Sequence, residues 1–272
     1  MAAMTAMVSR RAALLLAASQ GATRGDAQGN APGNAQPSPS PALRVLGTGA
    51  VEHPVHDLLP GFTQLTGRAV EHATGNAGAV AARLRGGEPW DLVLNSAAQI
   101  AALAQDGLVA GDGRRELGRM RIGLAVRQGA AAPEIGSPEA LRAAILAAPA
   151  IAYSDGTRGA TTGRHIDRLL AEWGIAEALR PRTLLFAQGL QAAQAVAEGR
   201  AALVMTQISE LVVVPGLTLV GPLPEAVNLV TAYVGAVAVR AADPGGAAAL
   251  LRHLTGPDGA ARFRAAGFAV GG

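Results

Sequence analysis

"LVTAYVGAVAVR", residues 229–240, is apolar along almost its whole length. Twelve extended residues cover about 40 Å at ~3.3 Å each, more than a single sheet usually asks of a strand. A second run of the same character, "RMRIGLAVR" (119–127), lies upstream. Strands this long run through one lobe and on into another. Between the two, residues 128–228 carry patterns of their own: helix 137–147, strand 151–153, helices 162–174 and 190–198, and strand 202–206.

Outside that interval, strand and helix alternate from residue 44. The pattern gives strand 44–46, then helix 53–65 with Val55, Leu58, Leu59 and Phe62 at helical spacing. Strand 69–73, helix 77–85, strand 91–95 and helix 97–104 follow, and helices 246–254 and 257–266 close the chain. This is the rhythm of an open α/β sheet with helices on both faces. The expected fold is α/β with two lobes, the second inserted in the first and joined to it by two crossing strands. Residues 44–127 and 228–272 form lobe 1, and 128–227 form lobe 2. Ligands of such sheets bind beyond the carboxyl ends of the strands, here in the cleft between lobes.

Composition narrows the function. Half of the 272 residues are apolar, enough for a sizeable core. There is no cysteine, which excludes disulfides, thiolate metal sites, cysteine nucleophiles and a lipid-modified N-terminal cysteine. Lysine is also missing, so all 23 basic residues are arginine. Beyond residue 43, twenty arginines face 19 acids, a net charge of +1 with no basic patch, so no nucleic-acid partner is expected. Aromatic residues make up 3% of the chain, too few rings for sugar or nucleobase stacking.

The chain opens "MAAMTAMVSRRAALLLAASQGATRGDAQ". Arg10 and Arg11 form a positive region, 12–18 a short apolar one, and small residues around Gly25-Asp26-Ala27 precede a possible cut. That layout predicts a cleaved export leader over 1–27, its apolar run too short to span a membrane. Residues 28–43, rich in Gly, Asn, Pro and Ser, read as a flexible linker. A soluble, periplasmic protein is expected.

Several strand-to-helix turns share one character. "GTGA" (47–50), "TGNAG" (74–78), "GTRGATTG" (156–163) and "AQG" (187–189) each place a flexible backbone at a helix N-terminus. There the unpaired N–H groups and the positive dipole end favour an anion. One such turn is an ordinary cap. Four of them, two in each lobe, could encircle a small anion with neutral donors.

At this point the chain resembles the molybdate-binding proteins of bacterial ABC importers, within the type II periplasmic solute-binding superfamily. "LRVLGTGAVEHPVHDLLPGFTQLTG", "GGEPWDLVLNS" and "LTGPDGAARFRAAGFAV" carry the likeness, in the family's order and spacing over nearly all of 44–270. The resemblance implies a monomeric binding protein that presents a small anion to an ABC permease, with no cofactor and no metal of its own. It also implies ligand contacts at Thr48, Gly49 and Ala50, where the family places a serine, and at Asn76 and Ala77. Further contacts are implied at Thr161 and Thr162, at the backbone of Leu190, and at Gln207, where the family has a tyrosine. Molybdate or tungstate is the solute implied; Arg158 in the cleft would suit a small carboxylate instead.

The remaining candidates are weaker. His53 and His56 stand three apart with His72 nearby in sequence, but no regular third ligand follows, so they read as surface residues. Gly47-Thr48-Gly49 lacks the third glycine of a dinucleotide loop and has Glu52 in its place. No nucleophile elbow, phosphate loop or zinc-protease run occurs, so there is no nucleophile and base to name and no enzyme is expected. N-terminal sequencing of the exported protein is expected to find a start between residues 20 and 43. An intact Met1 on a cytoplasmic protein would contradict the leader.

Overall fold

The computed structural model describes residues 41–271, so the expected leader and most of the linker lie outside the described residues. The first half of the chain builds β1 (Leu43–Thr48), α1 (Gly49–Thr66), β2 (Val70–Gly75), α2 (Ala77–Arg85), β3 (Leu92–Ser96) and α3 (Ala97–Gln105). The long strand β4 (Arg115–Arg127) leads to α4 (Pro138–Ala147), β5 (Ile151–Ser154), α5 (Thr161–Glu172), α6 (Ala176–Leu179) and β6 (Thr183–Phe186). Next come α7 (Gly189–Ala197), β7 (Leu203–Gln207), α8 (Ile208–Leu211) and β8 (Leu217–Pro222). The chain ends with β9 (Val230–Val237), α9 (Pro244–Thr255) and α10 (Pro257–Ala265).

Strand order is β2-β1-β3-β9-β4-β7-β5-β6, with β8 also on β4. The β1–β2, β1–β3, β5–β6 and β5–β7 pairs are parallel, which is why β1, β3 and β5 are near-continuous apolar runs buried on both faces. Alternate residues feed different cores. Val45, Leu92 and Leu94 join α1, α9 and α10 on one face of the first half, and Leu46 and Val93 join α2 and α3 on the other. In the second half Ile122, Leu124 and Ile151 face α4 and α5, while Ala125 and Ala152 face α7.

Helix α1 starts four residues before the expected helix 53–65, at the turn itself. Its buried face is Val51, Val55, Leu58 and Phe62, and it ends at Gly67, whose φ of 70° requires glycine and whose N–H closes on Thr63. Strands β6 and β8 lie outside the expected elements. The first is a four-residue edge strand and the second is bounded by Pro215-Gly216 and Gly221-Pro222.

β4 changes partners along its length. Residues 115–121 pair with β9, and 122–127 pair with β7 and β8. β9 pairs only with β3 and β4, within the first half. The second crossing is therefore carried by residues 223–229, which lead into β9, and not by a continuous strand over 229–240. Pro222 and Pro224 bring no N–H to a ladder there. Asn228 substitutes for the missing strand. Its Oδ1 accepts from the Ile122 N–H at 3.0 Å, and its Nδ2 donates to the carbonyls of Ile122 (3.0 Å) and Leu223 (2.9 Å). Asn228→Leu leaves the buried Ile122 N–H and the Leu223 carbonyl without these partners, while the Ile122 carbonyl keeps the Leu223 N–H, and each orphaned group costs about 1–3 kcal/mol. Urea unfolding is expected to show a loss of roughly 2–4 kcal/mol.

Candidate functional site

The four small-residue turns meet where the two halves face each other. They surround a cavity of about 40 Å³ lined by Thr48, Gly49 and Ala50 at the mouth of α1, and by Gly75, Asn76 and Ala77 at that of α2. Ala160, Thr161 and Thr162 close it from α5, and Gln188 and Gly189 from α7, with Ser154, Gln207, Glu210 and Tyr233 completing the wall. At ~10–15 Å³ per water this is room for roughly three waters, hence for one carboxylate or one tetrahedral oxyanion. No arginine lines it.

The helix mouths differ in how much of their donor capacity is free. On α2, the Asn76 side chain accepts from the Ala79 N–H (2.9 Å) and the Gly78 N–H goes to Gly159 O (3.1 Å). On α1, Thr48 stands at the cap position but makes no capping bond, and its Oγ1 is buried without a partner. On α5 the cap position is Ala160, which has no side chain able to cap. So α1 from one half and α5 from the other present uncapped N-termini to the same small space. Gln207 sits between them: its Nε2 donates to Thr162 Oγ1 at 3.1 Å, and its Oε1 is buried and unpartnered.

The rim is already shut. Besides the Gly78–Gly159 bond, Asn76 Nδ2 donates across the cleft to Ala187 O at 3.1 Å. A Cβ on Gly78 would lie 2.8 Å from the Gly159 Cα, so the two backbones approach as only glycines allow.

The fourth mouth is occupied by the protein itself. Glu210, 7% exposed, receives the Thr206 hydroxyl on Oε2 at 2.6 Å and the backbone N–H groups of Gln207 and Leu190. A Cβ on Gly49 would come within 2.8 Å of its Oε1, and one on Gly189 would overlap its carboxyl group and Thr206 Oγ1. Burial pushes the Glu210 carboxyl up to about 7 despite these donors, and nearby Glu52 adds to the rise. Tyr233 is raised too, by burial and then by Glu210.

Beyond Glu210 lies a second, larger cavity of about 600 Å³, which shares Gly49 and Glu210 with the first. His53, His56, His72, Glu52, Glu198 and the buried Ser209 are among its walls. Burial, with help from His56, pulls His72 down to about 4. Among the described residues no three acidic or histidine side chains are grouped to hold a metal ion.

Residues 43–269 match the family described as bacterial extracellular solute-binding protein. The chain belongs to that family. Within reach of this solute-binding protein is an aconitate isomerase from a Pseudomonas species, 32% identical over 228 residues, which span 82% of this chain and 85% of that one. Among solved structures it is similar to the periplasmic molybdate-binding protein of Azotobacter vinelandii, with a TM-score of 0.72 at 19% identity over 85% of this chain and all of that one. It is similar also to the sulfate-binding protein SubI of Mycobacterium tuberculosis, with a TM-score of 0.67 at 17% identity over 84% and 86% of the two chains. The fold is that of a periplasmic binding protein.

Eight of the ten expected contact residues of this binding protein line the small cavity: Thr48, Gly49, Ala50, Asn76, Ala77, Thr161, Thr162 and Gln207. Two do not. The Leu190 N–H is spent on Glu210, and the residue lines the larger cavity. Arg158 is exposed on the short 3-10 turn Gly156–Arg158, beside Asp155 and away from the cavity wall. Glu210 is the residue that sequence reasoning missed. The available clue was its position three after Gln207, where an acid reaches back to the N–H that starts a helix, as it does at α8.

The raised Glu210 carboxyl has a consequence for stability. Its contribution is full below the ordinary value of 4.5 and lost as pH rises through about 7. That amounts to roughly 3 kcal/mol over the window. His72 acts with the opposite sign below its ordinary 6.5, but is common to both proteins in a comparison of variants. Glu210→Gln is therefore expected to gain stability relative to the unmodified protein as pH rises from about 4.5 to 8. Urea midpoints across that range check it; a constant difference would contradict the assignment.

Proposed function

We propose that this chain captures a small carboxylate-bearing anion between two lobes, 44–127 with 228–272 and 128–227, and delivers it to an ABC permease. The observation that carries this is the pair of uncapped helix N-termini, α1 and α5, one from each half, facing one small cavity with the unpartnered Thr48 Oγ1 in its wall. A solute bound there contacts both lobes and so favours their closure about β4 and the 223–229 crossing. The relative at 32% identity is named for aconitate, a tricarboxylate, which supports a carboxylate more than molybdate. The molybdate-binding and sulfate-binding structures, under 20% identical, support the fold alone. A solute larger than one carboxylate group needs the lobes to part further than they do here. The exposed Arg158 has no part in this site. Export from the cytoplasm accords with the family, and among the described residues no helix is long and apolar enough to cross a membrane; the protein acts as a monomer in this reading.

A second reading is isomerisation of an unsaturated polycarboxylate. It is favoured by the name of that relative and by Glu210, a carboxyl on the cavity wall able to take a proton from one carbon and return it to another. Proton NMR of cis-aconitate with the protein decides it: growth of the trans isomer supports isomerisation, and an unchanged spectrum with binding leaves pure capture.

A thermal-shift panel of di- and tricarboxylates, molybdate, tungstate and sulfate is expected to show stabilisation by a carboxylate. A response to molybdate or tungstate alone would overturn that choice. Thr48→Val removes a hydroxyl that makes no bond within the protein, so stability without solute should hold. Affinity should fall about tenfold or more, the worth of a hydrogen bond to a charged group. Arg158→Ala should leave affinity unchanged.

A further inference from the structure

Any anion that enters the small cavity meets a carboxyl group already built into its wall. Glu210 holds Oε1 beside Gly49, the first residue of α1, at the edge of the space where the uncapped α1 mouth would place an anion. No arginine or lysine stands in the walls that Glu210 shares. Glu52, His53 and His56 of α1, His72 of β2 and Glu198 after α7 share the wall of the larger cavity with it, and Tyr233 of β9 that of the smaller. Of these, Glu52 is acidic and acts against its ionisation, and His72 stays neutral down to about pH 4.

Two negative groups side by side in a buried site do not both stay ionised; they share a proton. The Thr206 hydroxyl is donated to Oε2, and Oε1 is the carboxyl oxygen that lies beside Gly49 at the mouth of α1. We propose that Glu210 is a solute-contacting residue that works in its protonated form: the carboxyl takes one proton from water as the anion enters and donates it in a hydrogen bond to the anion. The solute is thus captured together with a proton. This rests on the small cavity being the anion site. It deepens that assignment by making the carboxyl a hydrogen-bond donor, the one polar wall group whose donor capacity pH controls in the neutral range.

The proton balance is explicit. Below about pH 7 the carboxyl of the empty protein is already protonated and binding takes up nothing. Above it, one proton is taken up per solute, and affinity for a fully ionised anion falls about tenfold per pH unit. Glu210→Gln keeps a neutral side chain with an N–H donor at every pH. Its affinity is expected to stay level between about pH 7 and pH 9, and so to exceed that of the unmodified protein at the alkaline end. A variant that gains affinity is not explained by damage to the fold.

The experiment is isothermal titration calorimetry with citrate, malonate, propane-1,2,3-tricarboxylate and molybdate. It is run at about pH 6 and about pH 8.5 in buffers of different ionisation heat, which reports protons taken up. The expected result is uptake of about one proton at the alkaline pH by the unmodified protein and none by Glu210→Gln. Binding without proton uptake, or the same pH dependence in both proteins, overturns the proposal and leaves the anion site standing. Failure of every probe to bind at the acid pH removes the anion site itself. Because proton uptake is read on the unmodified protein, a variant that does not fold leaves the test intact.

Discussion

Ile122 lies where β4 leaves one set of partners for another, and both of its backbone polar groups are held by the side chain of Asn228. That exchange lets a nearly continuous sheet behave as two. On one side of it the strand is tied to β9 and the α1, α9 and α10 core, and on the other to β7, β8 and the α4 and α5 core. An amide side chain in place of a strand keeps every buried backbone group paired while leaving the second connection free of ladder register. The position of every cavity residue follows from this junction, because Thr48 and Ala50 belong to one half and Thr161 and Thr162 to the other.

Much of this was legible in the sequence for a simple reason. Parallel strands buried on both faces are apolar along most of their length, so 44–46, 91–95, 151–153 and 202–206 announce themselves, as do amphipathic helices at 77–85 and 137–147. The turns were legible because small residues cluster at each of the four helix mouths. Edge strand β6 and strand β8 were not, since apolar runs as short as 184–186 and 219–220 do not by themselves mark a strand. The second crossing was misplaced because hydrophobicity alone does not say where a strand loses its partners.

Side-chain direction was the harder limit. Arg158 and Thr161 are three residues apart, yet one faces solvent and the other the cavity, and only the 3-10 turn at Gly156–Arg158 decides which. Leu190 failed for a different reason: its N–H was expected to meet a solute but meets Glu210, a residue 20 positions along the chain. A donor inventory made from one turn at a time cannot see an acceptor supplied by another. The small cavity proposed as the solute site thus has three helix mouths in its wall and a fourth occupied by Glu210.

In the proposed closure on a solute, the glycines at 78 and 159 act as a mechanical stop. Where their backbones touch, the jaws can travel no further, and the Gly78–Gly159 contact at the rim, more than the residues lining the interior, sets the smallest space that can be enclosed. A single methyl group at that rim would act as a shim, holding the jaws apart and enlarging the enclosed space without altering one interior donor. Solute size and solute chemistry are thereby written in separate places, so a lineage of such proteins could retune the first by substitutions at the stop while leaving the second intact.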